Sequence, residues 1–577
     1  MLRSIAPHIS NVGVFTASAN MIGLRLKYLL PGIIMSSAMN VLPNPSGVVD
    51  FRLRRPSGND SVSFTAGIDP LASPFVSGTV SLGGGRGKAG LAGRAAFYPG
   101  GSNFRGGENR NFAAGVAGFA PLSADLNVSA FAEIEDYREQ SSPTYFTSGP
   151  FLPPRVRRGE FLGQPWAIYQ YRTTNTGLIL DWRPTDDSEL RAGLFRSTYD
   201  LRSGAYDLIT RLDPAGNGRR LIYIFPPEDH HSVSGEVRYR RLVETGRFRL
   251  TGTASFRGRT VDRRRGGAAV ADLGEVNLHQ PTVRPEPALE FGRERNDAVD
   301  QIGVGLHGRI EWNRRLDISF GVQKTRYEQS VLQADDSNSM TSSPWLYQLL
   351  AAWSPSPGLA IYASASNGLE ESGIAPAQAI NRGEVLPATI TNQQEVGFRA
   401  TRGPMTLTVS GFALSKPYPN LDAGNRYGFV GTTRHRGVEV SLAGQPVPGL
   451  DLIAGALYLD AQVEQRIGDE ELTSRSVGQP RYRLLLSANY RLPRWKQLSF
   501  DASVTFQGDR VAKLNPLVPA PDYALVNGGI RYQIRPNLLA RAELRNIFDS
   551  YGFTVASTSA FGYVAGRSLR VALTWTP

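Results

Sequence analysis

Along most of this chain, apolar and polar residues alternate over runs longer than an ordinary globular strand. Between Arg247 and Arg259, Phe248, Leu250, Gly252, Ala254, Phe256 and Gly258 fall on one side, and arginines, threonines and Ser255 on the other. A pleated strand points successive side chains to opposite faces, so one face is apolar and its reverse strongly polar. The pattern returns at Leu126–Glu135, broken only by Phe131, at Leu316–Gln323, at Leu498–Gln507 and at Leu569–Thr576. Such runs match the ~9–11 residues of a membrane-crossing strand better than the ~5–6 of a globular one. The expected fold is all-β, a large transmembrane antiparallel β-barrel. Its even set at Phe248–Phe256 faces lipid and its odd set faces the lumen.

Composition decides between this and its rivals. A soluble sandwich or propeller would also alternate, but a propeller repeats every ~40–50 residues and no such period is present. No run of about 18 apolar residues suits a helical span, and the mean hydropathy of −0.24 is what a barrel with a polar lumen gives. Cysteine is absent, which removes disulfides, thiolate metal sites and cysteine nucleophiles together. The formal charge of +12 raises a nucleic-acid reading. The arginines, however, are scattered at alternate strand positions rather than clustered. The expected partners are therefore outer-membrane lipid and lipopolysaccharide outside the barrel and an anionic ligand within it, with no nucleic acid.

Connections fall into two kinds. Pro184–Ser188 and Arg535–Asn537 are short turns, whereas 141–163, 257–299 and 367–392 read as long, charged, Pro- and Gly-bearing loops. Short turns at one end and long loops at the other suit periplasmic and extracellular sides, and the long loops are where specificity is expected. Residues 1–56 lack clean alternation and are expected to be leader and plug remnant, with the barrel over 57–577. Translation from Met21 would make Arg25 and Lys27 the positive region, Tyr28–Met35 the apolar one and Ser36-Ser37-Ala38 a cleavage site; a poorly ordered leader is the alternative.

Several segments resemble TonB-dependent receptors of the siderophore type. Pro45–Pro56 is similar to the end of that family's plug, with Ser46 for a glycine and Asp50 for an asparagine. The barrel marks then follow in the family's order. They are Asn367–Gly373, Leu386-Pro387-Ala388, Gln394–Arg399, His435–Ser441, Val477–Arg481 and Arg545-Asn546-Ile547-Phe548-Asp549-Ser550-Tyr551. The resemblance implies about 22 strands, since roughly 520 residues then leave about 24 for each strand and its connection. It also implies an iron-chelate ligand, a TonB complex where a full plug exists, a place in the Gram-negative outer membrane, and no covalent chemistry. Only the plug's tail is recognisable, and the last residues are Trp575-Thr576-Pro577, where the family tends to end on an aromatic. Most of the plug is therefore expected to be missing, and these residues alone are expected not to drive energised uptake.

No Gly-x-Ser-x-Gly elbow, Walker loop or His-Glu-x-x-His helix occurs, so neither an enzyme nor a cofactor is expected. Glu228, Asp229, His230 and His231 are metal-type residues without a second cluster to complete a ligand set, and read as a solvated turn. Arg263, Arg264 and Arg265 stand where a rim would be, able to draw in an anionic chelate or lipopolysaccharide phosphates. With Glu370, Glu371 and Arg382 they are the expected ligand-binding residues. The rival functions are a plug-less passive pore and a soluble β-rich enzyme or adhesin. The sequence leaves siderophore, haem, cobalamin and glycan open as ligands.

Overall fold

The computed structural model describes residues 53, 55–56, 58–69, 73–85, 87–333, 336–371, 373–467, 470–556 and 559–577. The leader reading over 21–38 lies outside these residues, as does the plug tail over 45–56 apart from Leu53, Arg55 and Pro56.

Ser61–Asp69 pairs antiparallel with Ser73–Gly83, and each wall strand then pairs with the next along the chain. The last, Ser568–Trp575, returns to the first through Phe64↔Trp575 to Ile68↔Val571. The ring closes with 22 strands, the number the resemblance implies, and closure leaves the wall no edge to aggregate through. Among the described residues no helix is long and apolar enough to cross a membrane.

The pleat sorts the two faces as the alternation predicts. Phe256, Val304 and Leu306 point out, 53%, 56% and 63% exposed, while Ser255 and His307 beside them point in at 6% and 7%. Near the short turns the outward row carries Phe248, Trp312 and Trp353, all exposed, linked in register by Phe248↔Trp312, Trp312↔Leu316 and Leu316↔Trp353. Aromatic rings at the edge of an outward apolar band are how a barrel sits at a lipid boundary. A soluble protein would hide this band, which argues against the soluble rival.

Connections at one end are tight, with Gly403 and Gly449 at positive φ in turns between Arg402 and Met405 and between Val447 and Leu450. At the other end they are long, as expected. One expectation is corrected. Residues 257–299 are not one loop, because Phe248–Gly267 and Gly292–Trp312 stay paired up to Gly267↔Gly292. Above the apolar band both strand faces are polar, so the alternation fades there while the ladder continues.

The long-loop end has a small fold of its own. The distal part of Ser188–Leu212 leaves the wall, pairs with Asn217–Phe225, and that strand pairs with Ala269–Asn277. On its other side lie Thr144–Thr147 in parallel, then Phe561–Tyr563 and Phe553–Val555. Tyr145, Ile209, Leu212, Val518 and Phe561 form its core. Burying each such large side chain is worth roughly 1.5–3 kcal/mol, so these loops form a fixed roof over part of the mouth. At the opposite end, Arg55 lies over the Phe119 ring, 5.5 Å from its centroid, and 3.8 Å from Asp181.

Candidate ligand site under the long loops

Beneath the roof, the inner wall carries a contiguous aromatic band. Odd positions of Leu126–Gln140, Ile168–Thr185 and the proximal part of Ser188–Leu212 face the lumen, as do the even positions of Glu228–Thr245. The register then sets Tyr137 opposite Tyr171 and Tyr199 opposite His230. Ring centroids are 5.2 Å apart for Tyr137–Tyr171 and for Tyr171–Tyr199, and 5.3 Å for Tyr199–His230. Tyr169 joins them, its hydroxyl 2.6 Å from that of Tyr199 and its ring 6.0 Å from Tyr206. Offset and tilted ring contacts at these spacings are favourable, and the hydroxyls offer donors and acceptors over an apolar surface. Sequence reasoning missed this band. The signal was present, since each tyrosine stands on the polar parity of its strand, near the end that meets a long loop.

The pleat divides the basic triplet. Arg263 and Arg265 face inward, while Arg264 faces outward and forms an ion pair with Asp229. The triplet therefore does not act as one cluster of three guanidiniums. Arg263 clasps Glu371 through both carboxylate oxygens, with Nη2 donating to Oε2 at 3.1 Å, and Arg259 stands 3.8 Å from the same carboxylate. Burial pushes the Glu371 carboxyl up, but the hydrogen bonds and charge of Arg263 outweigh it and hold the pKa below the ordinary value. Glu370 points elsewhere and accepts hydrogen bonds from Thr391 Oγ1 at 2.5 Å and Lys416 Nζ at 3.0 Å. Glu371 thus ties the start of the segment between Leu359–Glu370 and Thr389–Arg402 to the wall, while Glu370 links neighbouring wall strands. That segment is also anchored by Asn381 Nδ2 donating to the Tyr427 carbonyl at 2.9 Å and by Arg426–Glu384 at 2.9 Å. Arg382 sits on it, exposed.

Elsewhere on the inner wall, charges are paired in the same way: Arg295–Asp297 at 2.5 Å and Arg309–Asp317 at 2.6 Å. The Glu228–His231 stretch begins a strand, so Glu228 and His230 face in while Asp229 and His231 face out. Among the described residues no group of three or more His, Cys, Asp or Glu could hold a metal ion.

The sequence pattern of the family described as TonB dependent receptor-like, beta-barrel, matches residues 81–547. The chain belongs to this family. As a TonB-dependent receptor barrel it is 22% identical over 311 residues to the ferrichrome receptor of Yersinia enterocolitica, a match covering 50% of this chain and 41% of that protein. It is 29% identical over 142 residues to the ferric-pyoverdine 358 receptor of Pseudomonas putida, covering 24% and 17% respectively. These matches span less than half the length of either relative. Among solved structures it resembles the ferric preacinetobactin receptor of Acinetobacter baumannii, with a TM-score of 0.81 at 16% identity, covering 94% of this chain and 84% of that one. The ferripyoverdine receptor of Pseudomonas aeruginosa gives 0.79 at 15%, covering 92% and 73%. At such identities these structural matches speak for the fold alone. The aromatic band lies on the inner wall of this receptor barrel, beneath the long loops.

Proposed function

We propose that this protein is an outer-membrane receptor that captures a ferric siderophore-like chelate at the long-loop end and imports it with energy supplied through a TonB complex. The observation that carries the reading is the tyrosine band on the inner wall of a receptor barrel of this family. Chelate ligands are bulky, largely rigid and partly aromatic or amide-rich. A surface of stacked rings with hydroxyls at their edges meets such a ligand at low entropic cost, because tyrosine has few torsions to freeze. The names of the relatives, which bind ferrichrome, ferric pyoverdine and ferric preacinetobactin, point to the same ligand class. In this reading the short turns are periplasmic and the roof faces the medium. Lipopolysaccharide surrounds the outward polar rows above the apolar band, where Arg264 lies. Arg263 and Glu371 hold a loop at the mouth, and Arg382 is available to the incoming chelate.

The direct test is equilibrium binding of iron-55-loaded hydroxamate, catecholate and mixed-ligand chelates to the purified protein in detergent. Saturable binding of at least one, weakened by Tyr199→Ala, is the expected result. If no ferric chelate from any of the three classes bound, the reading would be overturned.

A further inference from the structure

One end of the tyrosine band carries hydroxyl, imidazole and carboxylate groups that ring stacking does not explain. Tyr169, on Ile168–Thr185, and Tyr199, on Ser188–Leu212, bring their hydroxyl oxygens within 2.6 Å of each other. On the neighbouring strand Glu228–Thr245, His230 stands directly opposite Tyr199, and the two rings stack at 5.3 Å. Glu228, two residues earlier, shares the inward face, and one of its carboxylate oxygens lies 3.6 Å from His230 Nε2. That is beyond hydrogen-bond reach, and Nε2 is buried with no hydrogen-bond partner among the described residues. The three rings are only partly buried on the inner wall. Metal–nitrogen and metal–oxygen bonds of ~2.0–2.2 Å place two ligands of one ion no more than about 4 Å apart. The hydroxyl pair and the Nε2–carboxylate pair both fall inside that limit, and the Tyr199–His230 stack joins them.

The chemistry of these groups suits iron. Imidazole and carboxylate are common ligands of non-haem iron, and tyrosinate holds iron in some haem proteins. Burial pushes the His230 imidazole below its ordinary pKa, Glu228 opposes that, and Arg265 and Arg263 add to it. The ring is therefore neutral at neutral pH, which is the form that binds metal. Burial pushes the Tyr169 and Tyr199 phenols up, so both keep their protons until a highly charged cation displaces them, as bound metals do. Of the guanidiniums that act on this patch, Arg263 is held by Glu371, and Arg265 has the carboxylates of Asp297 and Glu228 as its opposing charges. A buried imidazole nitrogen without a partner is costly, and a metal ion removes that cost.

We propose that Tyr169, Tyr199, His230 and Glu228 donate ligands to the ferric ion of a chelate that leaves part of its coordination sphere open, so that the protein grips the metal as well as the organic shell. Each coordinating phenol gives its proton to solvent as a water molecule leaves the iron, and no electron is transferred. Iron as the cargo rests on the ferric-chelate reading; the ligating set itself does not.

The test adds ferric nitrilotriacetate, a small chelate with open positions, to the full chain in detergent. Tyrosinate bound to ferric iron gives a charge-transfer absorption in the visible and resonance-enhanced phenolate modes in the Raman spectrum. Both are expected, and neither with ferric diethylenetriaminepentaacetate, whose own donors fill the coordination sphere. Tyr199→Phe keeps the ring stacked on Tyr171 and His230 but removes one donor. It should weaken binding of the nitrilotriacetate complex by about tenfold, the lower end of what losing even an outer-shell partner costs a metal site. Tyr169→Phe combined with Tyr199→Phe should abolish both signals while the barrel still shows heat-modifiable migration. Signals of undiminished strength in that double variant, or none in the parent protein, overturn the site. If the double variant does not fold, the Raman spectrum of Tyr199→Phe decides the matter, with weakened phenolate modes supporting the site and unchanged modes overturning it. Phenolate signals without binding of any of the three classes of ferric chelate would refute the receptor reading alone. Saturable binding of such a chelate without phenolate signals from ferric nitrilotriacetate would refute the metal site alone.

Discussion

Replacing Leu306 by arginine puts a charge on the outward face at a depth the register defines. Leu306 is 63% exposed on Gly292–Trp312, whose last residue, Trp312, lies in the aromatic row at the short-turn end. Six residues at ~3.4 Å each, on a strand tilted by ~40°, place position 306 about 16 Å above that row. The apolar band of such a barrel is about 25 Å tall, so position 306 lies within a few ångströms of its middle, where arginine costs about 2–4 kcal/mol. Thr260 supplies the control. It is outward and exposed on Phe248–Gly267, twelve residues from Phe248, which is about 31 Å up and beyond the band, so Thr260→Arg should cost about 0–1 kcal/mol. Urea-induced folding equilibria of the two variants in phospholipid vesicles measure the difference directly. If Leu306→Arg is no more destabilised than Thr260→Arg, the depth assignment fails, and with it the claim that this face meets lipid.

Further outcomes follow from the same geometry. Single cysteines placed in the cysteine-free chain at the half-buried inward positions 257 and 259 should react with a membrane-impermeant maleimide from the lumen, and those at 254 and 256 should not; equal labelling of both sets refutes the face assignment. Tyr199→Ala removes ring contacts to Tyr171 and His230 and should weaken chelate binding by about two- to tenfold, on the order of 0.5–1.5 kcal/mol, with the unfolding midpoint little changed. The lowered Glu371 pKa makes the Arg263 clasp a stabilising contact that is complete above the carboxyl's ordinary value of 4.5 and is lost as pH falls through its lower folded value. Protection of residues 373–388 against hydrogen exchange, relative to the intrinsic rate, should therefore fall on acidification below pH 4.5, and in Glu371→Gln it should be low at neutral pH as well.

The wall was largely legible because its physics is local. A strand with lipid on one side and water on the other must alternate, and the alternation gave fold class, faces and turn ends from residues such as Phe248–Phe256 without any long-range information. The element at Arg545–Tyr551 was legible as a family mark, and the structure shows what it does. Asn546 and Asp549 take positive φ. The Asn546 side chain accepts from the Ser550 amide and donates to the Ser550 and Ala565 carbonyls, while Asp549 accepts from the Arg567 amide. A short asparagine–aspartate staple thus fixes the last long loop before the chain returns to close the ring. The upper parts of the strands were not legible, because above the lipid both faces are wetted and the period-two contrast disappears even though the ladder persists to Gly267↔Gly292.

The site was harder to read for a different reason. Which charges neutralise one another depends on the order of strands around the ring and on how loops fold back over it, and neither is written in neighbouring residues. Arg263 finds its partner at Glu371, across three intervening wall strands, whereas its sequence neighbour Arg264 is turned to the opposite face by the pleat alone. Three adjacent guanidiniums that look like one anion site are therefore an internal clasp, an outward ion pair and a second inward cation. Net charge of a segment is thus a poor guide to ligand charge in a barrel. What an inward charge has left to offer is set by cross-strand pairing, as the Arg263–Glu371 clasp shows.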